Sequence, residues 1–345
     1  MYSKITIVVP VYNIPEQLLR NCLKSLSEQT LKDVEMILVD DGSKNNSGKV
    51  CDEFAASDKR IKVVHSENKG VSNARNLGIE LSTSPYIIFV DADDYIAKDA
   101  CEKLYEVAIK EKCDILFFKP TGTKYVDTLE CKIENKNALK ELQIDIIRHK
   151  EDHQGFVLGS PWGKVFDRKF LLDNSLTFTL GVKRSQDRLF MLYALEKAKK
   201  VSFFSYSGYT YVKNDESICN KYNQNMVSIL DNAYKHIEEF VEKYHHNEEE
   251  FIEAMYQLKL KFIYTDIQLY YLNRKRNINC IYAAKELRAI FEDQNVNDAV
   301  RHMDNSLIKK KMKVFYTLIA YKQYYLAAVT YRIMDFMTRM RDTVK

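Results

Sequence analysis

Acidic side chains follow two short apolar segments within the first hundred residues. Asp40 and Asp41 come directly after one apolar run, and Asp91, Asp93 and Asp94 come directly after another. Carboxylates at positions i and i+2 beyond a strand can converge on a hard cation that prefers oxygen ligands, such as Mg²⁺ or Mn²⁺. Either cluster alone is also typical of a helix cap or an Asx turn. Two clusters at one edge of a sheet would favour a ligand site over that structural role.

Glycine loops that bind phosphates have no counterpart in this chain. Neither G-x-G-x-x-G nor G-x-x-x-x-G-K-[ST] occurs in the sequence. In such loops backbone N–H groups hold the phosphates. A ligand that carries phosphates would therefore need another source of positive charge, and a divalent cation held by the acidic clusters would supply it.

The first half of the chain alternates between short apolar, β-branched runs and helical patterns. The predicted strands are Ile5–Pro10, Val34–Val39, Ile61–His65, Tyr86–Val90 and Asp114–Phe118. The predicted helices lie between them, around Leu18–Leu26, Val50–Ala55, Val71–Leu81 and Ala100–Ile109. A strand about every 25 to 30 residues is typical of βαβ units and predicts a parallel sheet covered on both faces. We expect the acidic clusters at adjacent strand ends, the edge where such sheets bind ligands.

Residues that break helices become scarce toward the carboxyl end. The chain of 345 residues has 10 Gly and 5 Pro, and neither type occurs after Gly208. Tight turns need these residues, so the shortage argues against a β-sandwich, a barrel or a collagen-like chain. We therefore expect an α/β front followed by a mostly helical back. The predicted first domain, 1–215, has a nucleotide half, 1–118, and an acceptor half, 119–215. The predicted second domain, 216–345, is helical and has a basic tail.

Cysteine usage and hydropathy bear on the location of the protein. The seven Cys form no C-x-x-C pair, and their number is odd. This usage fits reduced thiols better than a disulfide framework or a zinc site. The apolar run near the amino terminus is too short for a signal peptide, and no run of 18 apolar residues indicates a spanning helix. We expect a cytoplasmic protein, and a peripheral position on the inner face of the cell membrane stays open.

Charge is divided unevenly along the chain. The formal net charge is +4, yet the first hundred residues contain 12 Lys/Arg against 15 Asp/Glu, and 306–345 contain 9 against 2. The tail also mixes aromatic and aliphatic residues with its cations, as an interfacial helix on anionic lipid does. Contact with another subunit of a homo-oligomer and ordinary packing within the chain are the alternatives. No recognition motif supports nucleic-acid binding.

Five motifs of the first hundred residues together resemble one enzyme family. They read ITIVVPVYN, CLKSLSEQT, ILVDDGSKNNS, HSENKGVSNARNLGIE and YIIFVDADD. This series is similar to the inverting glycosyltransferases of family 2, which have the GT-A nucleotide-sugar fold. The resemblance covers 3–100 and extends more loosely through Ser160–Phe190. It implies hexose transfer from a UDP-sugar to a glycan or lipid-linked saccharide, as in capsule, exopolysaccharide or glycoprotein-glycan assembly.

The resemblance places the nucleobase of the donor at the end of the first strand. Pro10, Val11 and Tyr12 would line its pocket, and Asp40 would accept a hydrogen bond from the uracil N–H. Asp41 would support this loop without touching the ligand.

The resemblance also implies where the diphosphate and the cation lie. Asp91 would contact the ribose and, together with Asp93, the divalent cation, Mn²⁺ or Mg²⁺. Ala92 would lie against the nucleotide sugar. Arg75 would lie near the base or the diphosphate, and a cation on a helix surface is the alternative. Asp94 would act either as a ligand or as a residue that holds the loop.

The acceptor site and the general base would come from the second half of the first domain. Trp162 and Lys164 match the family's Trp-x-Lys segment and would face the acceptor. Gln186 and Asp187 stand where family members have a Glu-Asp pair that opens a helix. Asp187 would take the proton from the acceptor hydroxyl during inversion, and favourable interaction with the helix macrodipole is its alternative role. Trp162 would either stack on a sugar ring or pack in the interior.

Together these residues imply a metal-dependent inverting hexosyltransferase that uses UDP-linked Gal, Glc, GlcNAc or GalNAc. Two other interpretations are a sugar-nucleotide nucleotidyltransferase and a non-catalytic helical scaffold with a vestigial nucleotide-binding domain. The nucleotidyltransferases normally carry a Gly-rich, basic amino-terminal segment, and the first strand here lacks it. The retained carboxylates of Asp91, Asp93 and Asp187 argue against the scaffold.

Overall fold

The chain forms two compact units, Met1–Lys213 and Asn214–Lys345. The structure, a computed structural model, describes the residues 3–122, 129–150, 152–212, 222–302 and 310–343. The domain boundary expected after residue 215 lies outside the described residues. Each unit has its own cluster of buried apolar side chains.

Strands and helices alternate through the first unit. Its strands are β1 (Ile5–Val11), β2 (Val34–Asp40), β3 (Ile61–His65), β4 (Tyr86–Phe89), β5 (Tyr95–Ile96), β6 (Ile115–Pro120), β7 (Leu129–Ile133), β8 (Asp152–His153), β9 (Phe156–Val157), β10 (Lys164–Asp167) and β11 (Val201–Thr210). Its helices are α1 (Glu16–Ser27), α2 (Ser47–Ser57), α3 (Val71–Leu81), α4 (Ala100–Glu111), α5 (Lys136–Ile147), α6 (Arg168–Asp173) and α7 (Gln186–Lys197). The strands and helices predicted between Ile5 and Phe118 are confirmed, with small shifts at their ends.

A mixed sheet forms the middle of the first unit. Within the described residues it has nine strands in the order β3-β2-β1-β4-β10-β6-β11-β5, with β7 paired to β11. β1 pairs in parallel with β2 and with β4, and β2 pairs in parallel with β3. The five strands predicted from the sequence run parallel to one another, as expected, but β10, which the sequence analysis did not predict, runs antiparallel between β4 and β6. Lys164, the first residue of β10, therefore lies at the edge where β4 ends.

The acidic clusters follow β2 and β4, the two strands that flank β1. The expectation that these two strands are neighbours is wrong, because β1 lies between them. The shared edge is confirmed, since all three strands run in the same direction. Strand order reverses at β1, and the crevice at such a switch point is the usual ligand site of an open α/β sheet.

Helices cover both faces of the sheet. α1, α2 and α4 contribute Leu23, Cys51 and Leu104 to one buried cluster, whereas α3 packs on the opposite face beside Ile37 and Val39. This two-sided covering explains why the strands read as continuous apolar runs.

α3 approaches the sheet closely at Gly78. A Cβ added to Gly78 would lie 2.2 Å from Val8 Cγ1, so the helix could not sit at this distance with a larger residue. The helix begins at Val71, after Gly70 with a φ of +92°. This packing fixes the position of Arg75, which lies on the same helix.

Within its described residues the second unit consists of helices joined by short turns. Its helices are α8 (Met226–His245), α9 (Glu249–Asp266), α10 (Cys280–Phe291), α11 (Gln294–Arg301), α12 (Lys310–Ala320) and α13 (Tyr324–Thr343). A π-helical turn, Ile267–Tyr271, follows α9, and a 3-10 turn, Arg274–Arg276, precedes α10. The helical back half predicted from the loss of Gly and Pro is confirmed. Over the described part of the chain, no helix has the length and apolar character needed to cross a membrane.

Candidate active site

Arg75 on α3 joins carboxylates from the two halves of the first unit. Its side chain is 3% exposed, and its Cζ lies 5.2 Å from the centre of the Phe178 ring. Nη2 donates to Asp91 Oδ1 at 2.9 Å, and Nη1 donates to Asp187 Oδ1 at 2.6 Å. Charge-assisted hydrogen bonds of this kind fix the positions of both carboxylates. The alternative of a helix-surface cation is therefore wrong for Arg75.

Asp187 lies in the first turn of α7, as the sequence predicts. The preceding Ser185 has a φ of +60°, so a left-handed residue turns the chain sharply into the helix. The Asp187 side chain keeps 27% exposure. Burial raises the pKa of its carboxyl, and the attraction of Arg75 opposes that rise. A partly exposed carboxylate with a raised pKa is suited to take a proton from a bound hydroxyl.

Gln186, the first residue of α7, places a hydrogen-bond acceptor next to Asp187. Its Oε1 is buried and has no hydrogen-bond partner among the described residues. The amide adds no negative charge beside Asp187, unlike the Glu of the family motif. Buried polar atoms normally have a partner, so this unpaired oxygen is an unusual feature of the helix start.

The segment Asp91–Asp94 forms a turn beyond the end of β4. The N–H of Asp94 donates to Asp91 O at 3.0 Å, which closes the turn. The Asp94 carboxylate accepts from the Tyr209 hydroxyl at 2.7 Å and from Val212 N at 2.8 Å. Burial raises the pKa of Asp94 to about 7. Of the two roles expected for Asp94, these contacts favour the holding of the loop.

Ala92 and Asp93 occupy the middle of this turn. Ala92 packs in the core with 2% exposure, so it lies beneath the surface that a ligand would contact. Asp93 is partly exposed. Burial, and after it the neighbouring charge of Asp91, raises the pKa of the Asp93 carboxyl. A bound cation would favour the ionised form of this carboxyl and so oppose the rise in its pKa.

The turn fits a divalent cation that shares its ligands with a diphosphate. Asp91 and Asp93 offer carboxylate oxygens, and no group of three His, Cys, Asp or Glu side chains within the described ranges forms a closed metal cage. Mg²⁺ in phosphate-binding sites is typically held by one or two carboxylates, with phosphates and water as the remaining ligands. The donor set at this turn is of that kind.

Asp40 ends β2 on the other side of β1. Its carboxylate is nearly buried: Oδ1 accepts from Ser43 N at 3.0 Å, and Oδ2 lies 2.9 Å from His65 Nδ1. Burial opposes ionisation, but hydrogen bonds from Ser43 and His65 outweigh it and lower the pKa of Asp40. Asp40 is therefore an ionised acceptor, and each of its oxygens has a further lone pair for a ligand N–H.

Asp41 fastens the end of β2 to the start of α3. Its two oxygens accept from the N–H groups of Lys69 and Gly70, each at 2.8 Å. The expectation that Asp41 supports the loop is confirmed by these contacts. The same contacts help to fix α3, the helix that carries Arg75.

Pro10, Val11 and Tyr12 run between the two acidic clusters. The Val11 side chain is fully buried, and its carbonyl oxygen accepts from Asp41 N at 2.9 Å. Pro10 is partly exposed, and Tyr12 is 41% exposed. Pro10 and Tyr12 can therefore line a pocket, whereas Val11 lies beneath the surface, which corrects its expected place in the pocket lining.

Trp162 lies face to face with Tyr209. The ring centres are 4.6 Å apart and the planes differ by 13°. Tyr211, which is 54% exposed, stacks on Trp162 at 6.0 Å. Both roles expected for Trp162 are compatible with this position, because packing fixes the ring while part of its surface stays open to a sugar.

Lys164 is fully buried rather than open to an acceptor. Its Nζ donates to Val157 O at 2.6 Å and to Trp162 O at 3.3 Å, and it lies 4.5 Å from the centre of the Phe117 ring. Burial lowers the pKa of the ammonium well below its usual range. The structure thus corrects the expected role: Lys164 holds the segment that presents Trp162.

Two residues that contact the predicted site were missed from the sequence. Tyr209 touches Asp94 and Trp162, but nothing distinguishes it among 23 Tyr in the sequence. His65 is the last residue of β3 and lies opposite Asp40 of β2 at the same sheet edge. That position at a strand end was a signal that could have identified His65.

Known proteins are similar to the part of the chain that supplies most of this site. Residues 6–172 match the family described as glycosyl transferase family 2. The first unit belongs to that family. The family match includes both acidic clusters, Arg75 and Trp162, and it ends before Asp187.

Curated relatives of this family 2 unit come from several bacteria. The uncharacterized glycosyltransferase EpsJ of Bacillus subtilis is 31% identical over 221 residues, which cover 63% of this chain and 63% of EpsJ. Glycosyltransferase GlyA of Streptococcus pneumoniae is 34% identical over 61% of this chain and 30% of GlyA. The poly(ribitol-phosphate) beta-glucosyltransferase of Bacillus spizizenii is 33% identical over 61% of this chain and 33% of that enzyme. The chain thus spans less than two thirds of the length of these relatives.

Solved structures with low sequence identity share the fold. TarS 1–349 of S. aureus, determined in complex with UDP-GlcNAc, has a TM-score of 0.61 and 19% identity, covering 95% of this chain and 91% of TarS 1–349. The mannosyltransferase PcManGT of Pyrobaculum calidifontis, in complex with GDP-Man and Mn²⁺, has a TM-score of 0.52 and 14% identity, covering 97% and 88%. The predicted fold class, a GT-A type α/β domain followed by a helical region, is confirmed.

Proposed function

We propose that this chain is an inverting glycosyltransferase that transfers a hexose from a UDP-sugar to a hydroxyl group of a glycan acceptor. The observation that carries the proposal is the buried Arg75, which binds Asp91 of the nucleotide half and Asp187 of the acceptor half. A donor at the acidic turn and an acceptor beside α7 would meet at this group. Membership of the first unit in family 2 supports the reaction class.

The proposed donor is UDP-linked Gal, Glc, GlcNAc or GalNAc. TarS has a similar fold and was determined with UDP-GlcNAc. The Bacillus spizizenii relative is named as a glucosyltransferase. In this chain Asp40 and Tyr12 would orient the uracil, with Asp40 as the acceptor for its N–H group.

Asp187 is the proposed general base. Its Oδ1 accepts from Arg75, which orients the carboxylate and leaves Oδ2 for the acceptor hydroxyl. As the hydroxyl proton moves to Asp187, the hydroxyl oxygen attacks the anomeric carbon from the side opposite to the leaving UDP. A single displacement of this kind inverts the configuration at that carbon.

Asp91 and Asp93 would hold a divalent cation, Mn²⁺ or Mg²⁺, beside the donor diphosphate. When bound, the cation neutralises the negative charge that develops on the leaving group. Arg75 stays with its two carboxylates and keeps Asp91 oriented for this role.

The experiment that tests this function is release of the nucleoside diphosphate from a panel of sugar donors. We expect the full chain with Mn²⁺ to hydrolyse or transfer from one of UDP-Glc, UDP-Gal, UDP-GlcNAc or UDP-GalNAc, and not from dTDP-rhamnose. Chelation of the cation or Asp93→Asn should abolish release. Asp173→Asn is a matched control, because Asp173 is an exposed carboxylate on α6. A scaffold protein would release no UDP from any donor.

We also propose that the second unit brings the enzyme to the cytoplasmic face of a membrane, where a lipid-linked saccharide would be the acceptor. α13 exposes large apolar side chains on the face opposite its buried one: Tyr325, Leu326, Ile333, Phe336, Met337 and Met340. A helix that is apolar on both faces requires a partner for its outer face. Among the described side chains of α12 and α13 the only acidic residue is Asp335, 3.4 Å from Arg274. The basic tail favours anionic lipid over a second copy of the same cationic surface.

Vesicle sedimentation of the full chain tests this location. We expect binding to phosphatidylglycerol vesicles and not to phosphatidylcholine vesicles. Ile333→Glu combined with Phe336→Glu should remove binding, whereas Leu180→Glu, at a residue of the first unit with 60% exposure, should not. If the wild type binds no vesicles but forms a homo-oligomer that the double variant does not form, the exposed face of α13 would instead be an oligomer contact.

A further inference from the structure

The hydroxyl of Tyr209 contacts both ends of the acidic turn. It donates to Asp94 Oδ2 at 2.7 Å and accepts from Asp91 N at 3.2 Å. The turn between these two residues is closed by the backbone hydrogen bond from Asp94 N to Asp91 O. Asp93 lies between the two residues that Tyr209 holds. Tyr209 thus holds both ends of the turn that carries Asp93.

Tyr209 is itself held firmly on β11. Its side chain is fully buried, and its carbonyl oxygen accepts from Thr121 N at 2.6 Å. The register of β11 against β6 shifts between Ser207 and Tyr209. A Cβ at Gly208 would lie 2.1 Å from Tyr206 Cε1, so a larger residue at this position would force the Tyr206 ring to move. Such irregularities re-aim a side chain next to a site, and here they direct the Tyr209 hydroxyl to the turn.

The ring of Tyr209 has a second partner at the expected acceptor side. It stacks on Trp162 with ring centres 4.6 Å apart. Lys164 holds the backbone at Trp162, because its Nζ donates to the Trp162 carbonyl oxygen. One buried residue thus contacts both the turn of the proposed cation site and the aromatic surface proposed for the acceptor.

We propose that Tyr209 is a positioning residue of the transfer reaction: it fixes the turn that presents Asp93 to the cation, and it supports Trp162 beside the acceptor. The inference rests on the proposed function. Removal of the hydroxyl would take away one hydrogen-bond partner from the N–H of Asp91 and one from Oδ2 of Asp94. Unpaired buried polar groups are unfavourable, so the turn would relax from its present shape.

The test is the affinity of the full chain for UDP, measured by calorimetry with and without Mn²⁺. Tyr209→Phe keeps the ring and removes only the hydroxyl. We expect the affinity without Mn²⁺ to stay within about twofold of the wild type, and the gain in affinity on adding Mn²⁺ to fall roughly tenfold. Trp162 is the single Trp of the chain, so an unchanged emission spectrum would show that the stack on residue 209 is retained.

Tyr206→Phe is the matched control. Tyr206 lies on the same strand with 3% exposure, and its hydroxyl donates to Asp99 Oδ1, outside the turn. This variant also loses a hydrogen bond from a buried tyrosine to a carboxylate, although Asp99 is 43% exposed, and its Mn²⁺-dependent gain should equal that of the wild type. Asp94→Ala removes the carboxylate that accepts from the Tyr209 hydroxyl. It should therefore lower the Mn²⁺-dependent gain in affinity as Tyr209→Phe does, which keeps the inference testable if Tyr209→Phe fails to fold.

Two results would overturn the inference, and they differ from failure of the proposed function. Equal Mn²⁺-dependent gains in Tyr209→Phe, Asp94→Ala and Tyr206→Phe would show that the hydroxyl does not position the turn, while the enzyme would still bind its donor. A wild type that binds UDP without any response to Mn²⁺ would overturn the inference together with the proposed cation. A wild type that binds no UDP would contradict the proposed function itself.

Discussion

Arg75 Nη1 and Asp187 Oδ1 lie 2.6 Å apart although the two residues are 112 positions apart in the sequence. The same guanidinium donates to Asp91. Because Arg75 is buried, its charge balances two carboxylates that would otherwise repel each other. The proposed base is therefore fixed relative to the proposed donor site before a substrate binds.

Arg75→Lys should separate position from charge at this site. Lysine keeps the charge but lacks the planar fork that reaches two carboxylates at once. We expect kcat to fall by roughly a hundredfold and the free energy of unfolding to fall by about 2 kcal/mol. Steady-state kinetics and urea unfolding measure the two effects. Arg60→Lys is the control, since Arg60 pairs with Asp58 at 2.6 Å outside this group; wild-type kcat in Arg75→Lys would contradict the account.

Asp40→Asn should weaken nucleotide binding and spare the chemical step. The amide offers one acceptor instead of a charged carboxylate, so we expect the affinity for UDP to fall by about tenfold. kcat at saturating donor should change little. Asp52→Asn serves as the control, because Asp52 also contacts His65, at 3.1 Å, but is 59% exposed. Unchanged UDP affinity in Asp40→Asn, measured by calorimetry, would refute the base pocket.

His65 should make part of the stability depend on pH. Hydrogen bonds to Asp40 and Asp52 raise its pKa in the folded protein. A raised pKa means that the stabilisation is complete below the unfolded-state pKa of about 6.5 and is lost as pH rises through the folded-state pKa. His65→Gln should therefore lower the free energy of unfolding more at about pH 5.5 than at about pH 9. The difference should stay below about 1 kcal/mol, because the ring is 50% exposed.

Urea unfolding of the wild type and His65→Gln at the two pH values measures this difference. His236→Gln is a suitable control, since His236 pairs with Glu239, three residues along the same helix α8. A loss in His65→Gln that is the same at both pH values would show that His65 does not gain a proton on folding in the way described.

Local pattern was sufficient to predict much of the first unit. The apolar runs that became β1, β2 and β3 and the helical spacing of α3 depend on neighbouring residues, so the sequence reveals them directly. The acidic residues Asp40 and Asp91 were placed at one sheet edge because parallel strands share their direction. The loss of Gly and Pro after Gly208 predicted the helical second unit for the same local reason.

Pairing between distant segments could not be predicted from the sequence. The insertion of β10 between β4 and β6 joins segments far apart in the chain and leaves no periodic signal of its own. Tyr209 reaches Asp91 across 118 positions, and no property of an isolated Tyr indicates that contact. The burial of Lys164 likewise follows from the fold, because an isolated Lys is typical of a surface.

The most direct test of the central claim is a comparison of donor binding and turnover in Asp187→Asn. The account assigns Asp187 to proton transfer and not to donor binding. Calorimetry with the preferred UDP-sugar and Mn²⁺ should therefore give an affinity within about threefold of the wild type, while kcat falls by about a thousandfold. A parallel loss of donor affinity, or turnover close to that of the wild type, would contradict the assignment of Asp187 as the general base.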